Sequence, residues 1–166
     1  MKPHPPIIMQ LTEIIKRMKY IRKNIYQMGA DIATNDSDYL IQLNKDQMLD
    51  GLGNDDKYLP TYDSDPYFKT VAQAKGYENW KSKISRSRTK PRNVMDGYIN
   101  GKFHSSIEFK MMAKQRLKFY SNTNVGRKLD NWTGNKIYGL NSRSIVDYRH
   151  KFMPELGKKI QDILSG

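Results

Sequence analysis

Apolar positions recur along this chain with two different periods, and the periods divide it into elements. Behind a stiff lead containing Pro3, Pro5 and Pro6, the residues Ile7, Leu11, Ile14, Met18, Ile21, Ile25 and Met28 follow one another at alternating spacings of four and three. That heptad spacing predicts a helix about 35 Å long at roughly 1.5 Å per residue. Gly29 is its expected stop, so that 1–29 forms an N-terminal helical segment. Lys16, Arg17, Lys19, Arg22 and Lys23 fall on the opposite face. Further on the period changes to two. Ile107, Phe109 and Met111 alternate with Glu108, Lys110 and Met112, and Leu117 and Phe119 alternate with Arg116, Lys118 and Tyr120. Two strands, 107–112 and 116–121, are predicted around a turn at Ala113, Lys114 and Gln115, each with one covered and one polar face.

Between and beyond these elements the signals are local. A polar loop is expected over 31–38 and a short strand over 39–43. Asn44 then reads as the cap of a short helix ending at Gly51. Ser64 and Pro66 open a further helix that runs to Gly76. A turn of helix is expected within 94–105, a helix over 125–132, and a short strand over 137–140 after the turn at Gly134, Asn135 and Lys136. Ser142 or Ser144 caps C-terminal helices over 142–164, with Pro154 breaking or restarting them. Nothing repeats along the chain. The sum is a single α+β domain over 1–166. Its small antiparallel sheet is covered by the long N-terminal helix and the C-terminal helices, and extended loops fill the rest. Phe109, Met111, Leu117 and Phe119 are expected on one sheet face against Ile14, Met18 and Ile21.

Composition narrows the functional classes. Only 37% of the 166 residues are hydrophobic, so the core is small for the length and much of the surface faces water or partners. With no cysteine, disulfides, thiolate catalysis and cysteine-based metal sites are excluded together. Nine methionines and eleven tyrosines suit adaptable contact surfaces as well as core gaps. No apolar run is long enough for a membrane span, and no signal-peptide core is expected at the N-terminus. The net charge of +12 favours nucleic acid or acidic partners. Its distribution says more. Residues 31–65 hold nine acids against two bases, a net of −7, which leaves +19 on the rest. Opposite charges segregated in this way suit head-to-tail contact between copies.

The chemistry-bearing residues do not form a catalytic pattern. His4, His104 and His150 stand far apart, without metal-ligand spacing. The aspartates at 50, 55 and 56 sit in a glycine-containing turn that lacks the alternate carboxylates and late glutamate of a calcium loop. The run from Gly97 to Gly101 lacks the Gly-Lys-Ser/Thr ending of a phosphate loop. Neither enzymatic activity nor a cofactor is expected. The best functional candidate is a basic extended loop over 79–93 carrying Lys81, Lys83, Arg86, Arg88, Lys90 and Arg92 with no acid between them. Mobile cations interleaved with serine and threonine suit phosphate or an acidic neighbour. Only Trp80 flanks the run, so base stacking is not expected. Tyr58, Tyr62, Tyr67 and Trp80 are candidate apolar anchors for assembly.

One ordered series carries a resemblance. It begins with the N-terminal helix and Leu43-Asn44-Lys45-Asp46-Gln47-Met48-Leu49-Asp50-Gly51. Leu59-Pro60-Thr61-Tyr62 follows, then the lysine-bearing stretch from Tyr67 to Lys75, then Val94-Met95-Asp96-Gly97-Tyr98-Ile99-Asn100-Gly101-Lys102-Phe103. The hairpin ending in Tyr120-Ser121 and the run Ile137-Tyr138-Gly139-Leu140 complete it. The series, over roughly 40–160, resembles small neck and tail-completion proteins of tailed bacteriophages, those of crAss-like phages of gut Bacteroidetes included. The resemblance implies an α+β subunit of a head–tail connector ring, made in the host bacterial cytoplasm and resident in the virion neck or tail. Its partners would be further copies of itself, portal, neck and tail proteins, and the genomic DNA passing through the ring. The basic insertion from Trp80 to Arg92 and the proline-rich start depart from the usual pattern. A small basic nucleic-acid-binding protein acting through 81–92 is the alternative. A small phage nuclease lacks the carboxylates and histidines it would need.

Overall fold

The computed structural model describes residues 7–86 and 90–166. The fold is α+β, with six helices and one two-stranded antiparallel sheet among the described residues. The heptad stripe forms helix α1, Ile7–Asn35. It does not stop at Gly29. There the chain needs a small residue in mid-helix, because a Cβ would stand 3.3 Å from the ring of Phe152. The expected polar loop and the strand over 39–43 are helical as well. The chain bends at Asp36 and continues as α2, Ser37–Leu49. Asp36 is buried at the bend, where its carboxylate takes the Lys151 ammonium. Leu40, Leu43 and Met48 of α2 enter the core, so the apolar residues there mark a buried helix face and not a strand.

Asn44 is no cap. It is fully buried inside α2 and donates its amide to the carbonyls of Ile137, at 3.0 Å, and Gly139, at 2.7 Å. That accounts for the expected strand over 137–140, which is irregular: side-chain amides take the carbonyls that a neighbouring strand would have taken. Gly51 does follow α2, in a left-handed conformation. The next helix, α3, spans Val71–Ile84 and begins two turns later than expected. Thr70, not Ser64, caps it by accepting from the Gln73 N–H. Gly76 lies inside it. Residues 94–101 are irregular, with left-handed Gly97 and Gly101, and only α4, Lys102–Ser105, is helical.

The hairpin forms as the alternation predicts. Strands β1, Glu108–Met112, and β2, Arg116–Tyr120, pair Phe109 with Phe119 and Met111 with Leu117. The turn holds Lys114 at positive φ. Helix α5, Asn124–Thr133, is capped by Thr123 and stopped by left-handed Gly134. Helix α6, Ser142–Ser165, starts at the Asn141 cap and runs through Pro154 without a break. The carbonyl that loses its donor there belongs to exposed His150, where water can satisfy it.

Two regions result. A head gathers Leu40, Met48, Val94, Phe103, Phe119 and Ile137 into the core. From it, α1 and α6 extend antiparallel as a two-helix arm, closed near its tip by the Arg17 guanidinium on the carbonyl of Leu164 at 2.9 Å. The expected partnership between hairpin and helix is displaced along α1. Met111 and Leu117 border the Ile25–Ala33 stretch, together with Tyr148 and Phe152 of α6. Ile14 and Met18 lie beyond the hairpin's reach and remain exposed, and Ile21 shares a shallow groove with Ile160 and Leu164.

Candidate functional site

The basic run contains a carboxylate-centred knot, and its centre is a residue the sequence did not advertise. Asp96 is 0% exposed. Its Oδ1 accepts from Lys81 Nζ at 2.5 Å and from the Tyr98 N–H at 2.9 Å, and its Oδ2 accepts from Ser85 Oγ at 2.8 Å. Lys81 donates also to the Tyr98 carbonyl. Lys90 stands 3.8 Å from Oδ2 and donates to the Val94 carbonyl at 2.6 Å. Desolvation lowers the Lys90 pKa, and the Asp96 charge opposes that shift. The Asp96 carbonyl accepts from His104 Nε2 at 2.9 Å, which fixes the ring tautomer. Burial pushes the His104 pKa below the ordinary histidine value.

The structure therefore divides the six expected contact residues. The stretch 79–84 is helical and not an extended loop, because it completes α3. Lys81, 2% exposed, faces inward from that helix to neutralise Asp96, so it cannot serve as a surface contact. The Lys90 side chain is likewise enclosed. Arg92 is held by Asn79 Oδ1 and Ser82 Oγ of α3, at 3.2 and 2.9 Å. Lys83 and Arg86 are exposed. Arg88 lies outside the described residues. The signal that could have found the knot was present: Asp96 is the sole acid between Glu78 and Glu108, amid a run of cations.

Arg86 does not point into empty space. Its guanidinium lies 4.7 Å from the centroid of the Tyr98 ring, on the rim of an open cavity of about 440 Å³. Lys45 of α2 and Lys102 of α4 line the same cavity, and no carboxylate does. The four aromatic anchors also divide. Tyr58 and Tyr67 are exposed, the latter beneath the Lys128 ammonium at 4.7 Å. Trp80 is partly covered by Tyr77. Tyr62 is buried, its ring edge-on to Tyr77 at 5.1 Å, and burial drives its pKa upward. It belongs to the core and cannot anchor a partner.

Among the described residues no group of three or more histidine, aspartate or glutamate side chains could hold a metal ion, and no helix is long and apolar enough to cross a membrane. Comparison with protein-family models, with curated proteins and with solved structures finds no match to this chain.

Proposed function

We propose that this chain is a structural subunit of a tailed-phage particle that assembles with copies of itself into a ring in the neck or tail, joining portal or connector to tail around the DNA channel. The supporting observation is the α1–α6 arm. Leu11, Ile14, Ile15 and Met18 of α1 are all exposed, Met18 to 58%, and Leu164 of α6, also exposed, lies beside Met18 in the same shallow groove near the arm's tip. Apolar side chains grouped on a projecting helix pair form a surface suited to a protein partner. Tyr58, Tyr67 and Trp80 offer further anchors on the head. Within the acidic segment at 31–65, Asp36 and Asp55 are already paired with Lys151 and Lys136 of the same chain, and the remaining acids with the basic remainder supply complementary charge between neighbours. Single surface ion pairs contribute only about 0–1 kcal/mol, so charge sets register and approach rate while apolar contact supplies affinity. The role is mechanical, and its chemistry is packing.

Native mass measurement of the full chain, alone and with its portal and tail partners, tests this reading. A symmetric oligomer is expected, one that high salt slows in forming but does not dissolve once formed. Changing Leu11, Ile14 and Met18 together to Ser should leave the circular dichroism spectrum intact and abolish assembly. A chain that stays monomeric at high concentration with those partners present overturns the ring. The second reading, a nucleic-acid-binding protein working through 81–92, draws on the exposed Lys83 and Arg86 and would show as a small species with salt-sensitive DNA binding.

A further inference from the structure

The cavity beside Arg86 is the place where the fold gathers like charge without neutralising it. Lys45 projects from α2, Arg86 follows α3, and Lys102 opens α4, so three separate elements bring three cations to one concavity. None of the three has a carboxylate partner among the described residues. The charges are also close enough to be felt by the cavity's buried wall, since Lys45 contributes to the lowered pKa of His104. Of the carboxylates near the cavity, Asp96 is saturated by Lys81, Ser85 and the Tyr98 N–H, and Asp46, next to Lys45 in α2, accepts from the Gln42 amide at 2.7 Å.

The remaining wall is preorganised for oxygen acceptors. Arg86 is held over Tyr98, which restricts the guanidinium before any ligand arrives. Asn100 Oδ1 is occupied by the Lys102 N–H at 3.1 Å, which leaves the Asn100 amide nitrogen as the free polar end. Three cations and an amide donor, with no carboxylate, select an anion with several acceptor oxygens.

We propose that this cavity binds the phosphate backbone of double-stranded DNA, with Lys45, Arg86 and Lys102 as the contacting cations. Arg86 and Lys81 both engage the Tyr98 ring, at 4.7 and 5.7 Å, so the aromatic is not free to stack on an unpaired base. Contact is therefore with phosphates and indifferent to sequence. The site stands on its own geometry and does not depend on the chain forming a ring.

Fluorescence anisotropy with the full chain and a labelled mixed-sequence duplex tests it, between 50 and 200 mM salt. Replacing Lys45, Arg86 and Lys102 together by Gln should weaken binding at least about tenfold at low salt and flatten the log K against log salt slope by about two to three, as expected for that many lost phosphate contacts. A control triple on the arm, Lys19→Gln, Lys23→Gln and Lys158→Gln, removes the same charge and should cost far less. Lys102→Gln alone, at an exposed position, should give a smaller loss in the same direction and covers the case in which the triple does not fold. Two unrelated duplexes should bind equally. Equal losses from both triples would show a response to net charge alone and overturn the site. So would wild-type protein that binds inorganic phosphate in this cavity but not duplex DNA.

Discussion

Gln47 Oε1 accepts the backbone N–H of Asn141 at 2.9 Å, joining two residues that lie 94 apart in the chain. The same oxygen takes Ser144 Oγ at 3.1 Å, and the Gln47 amide nitrogen donates to the Gly139 carbonyl at 2.7 Å. One buried side chain thus ties α2 to the irregular segment and to the first turn of α6. Gln47→Leu should leave these groups unpaired in the interior and destabilise the fold by about 1–3 kcal/mol or more. Urea unfolding measures it. A loss no larger than that of an exposed glutamine such as Gln42 would contradict the role.

The Asp96 knot gives a sharper expectation. Asp96→Ala leaves the Lys81 ammonium buried without its counter-charge and should cost about 3–5 kcal/mol. Removing both charges, with Lys81→Met in the same chain, should recover part of that loss. A double-mutant cycle reads the coupling, and strictly additive effects would show that the pair does not act as one unit.

Two kinds of helical glycine should respond oppositely. Gly29→Leu forces a side chain against Phe152, where even a Cβ is tight, and should destabilise by about 1–3 kcal/mol. Gly76 of α3 and Gly157 of α6 meet nothing within 4 Å at the Cβ position. Gly76→Ala and Gly157→Ala should each stabilise by about 0.5–1 kcal/mol through helix propensity. Thermal melts of the three variants check the signs.

His104 sets a pH dependence. Its folded pKa lies below the ordinary value of 6.5, chiefly through burial. The unfolded chain therefore binds the proton more readily. The stability linked to this group is fully present above about pH 6.5 and is lost as the pH falls through that value toward the lowered folded one. Denaturant midpoints taken in steps from pH 7.5 to 5 should decline, and His104→Gln should remove the part of the decline that lies above the carboxylate range.

How much of this was legible follows from how local each cause is. The hairpin was, because alternation at 107–111 and 116–120 and a three-residue turn are neighbours in sequence. Helix α5 was, as a helix over 125–132 ahead of the turn at Gly134, Asn135 and Lys136, although its Thr123 cap was not read. The helix through 37–49 was legible only in its second half, as the short helix before Gly51: its buried Asn44 and Gln47 look like surface or cap residues until residues 137–141 arrive beside them. The knot was hidden for the same reason. Lys81 sits in a run of cations that reads as solvated, and the partner that turns it inward lies fifteen residues away. The cavity needed three elements to meet, which no spacing rule describes.

The arm has a consequence for the order of folding. Its two helices come from opposite ends of the described chain, and the contact between Arg17 and Leu164 spans 147 positions. Among the described residues the N-terminal half of α1 is almost wholly exposed, and a lone helix of that length is marginal in water. Joining it to α6 means closing a loop through the whole head, which is among the slowest contacts a chain can make. The arm is therefore expected to close after the head. A neighbour that grips both of its helices tests, in the act of docking, whether the head behind them is finished.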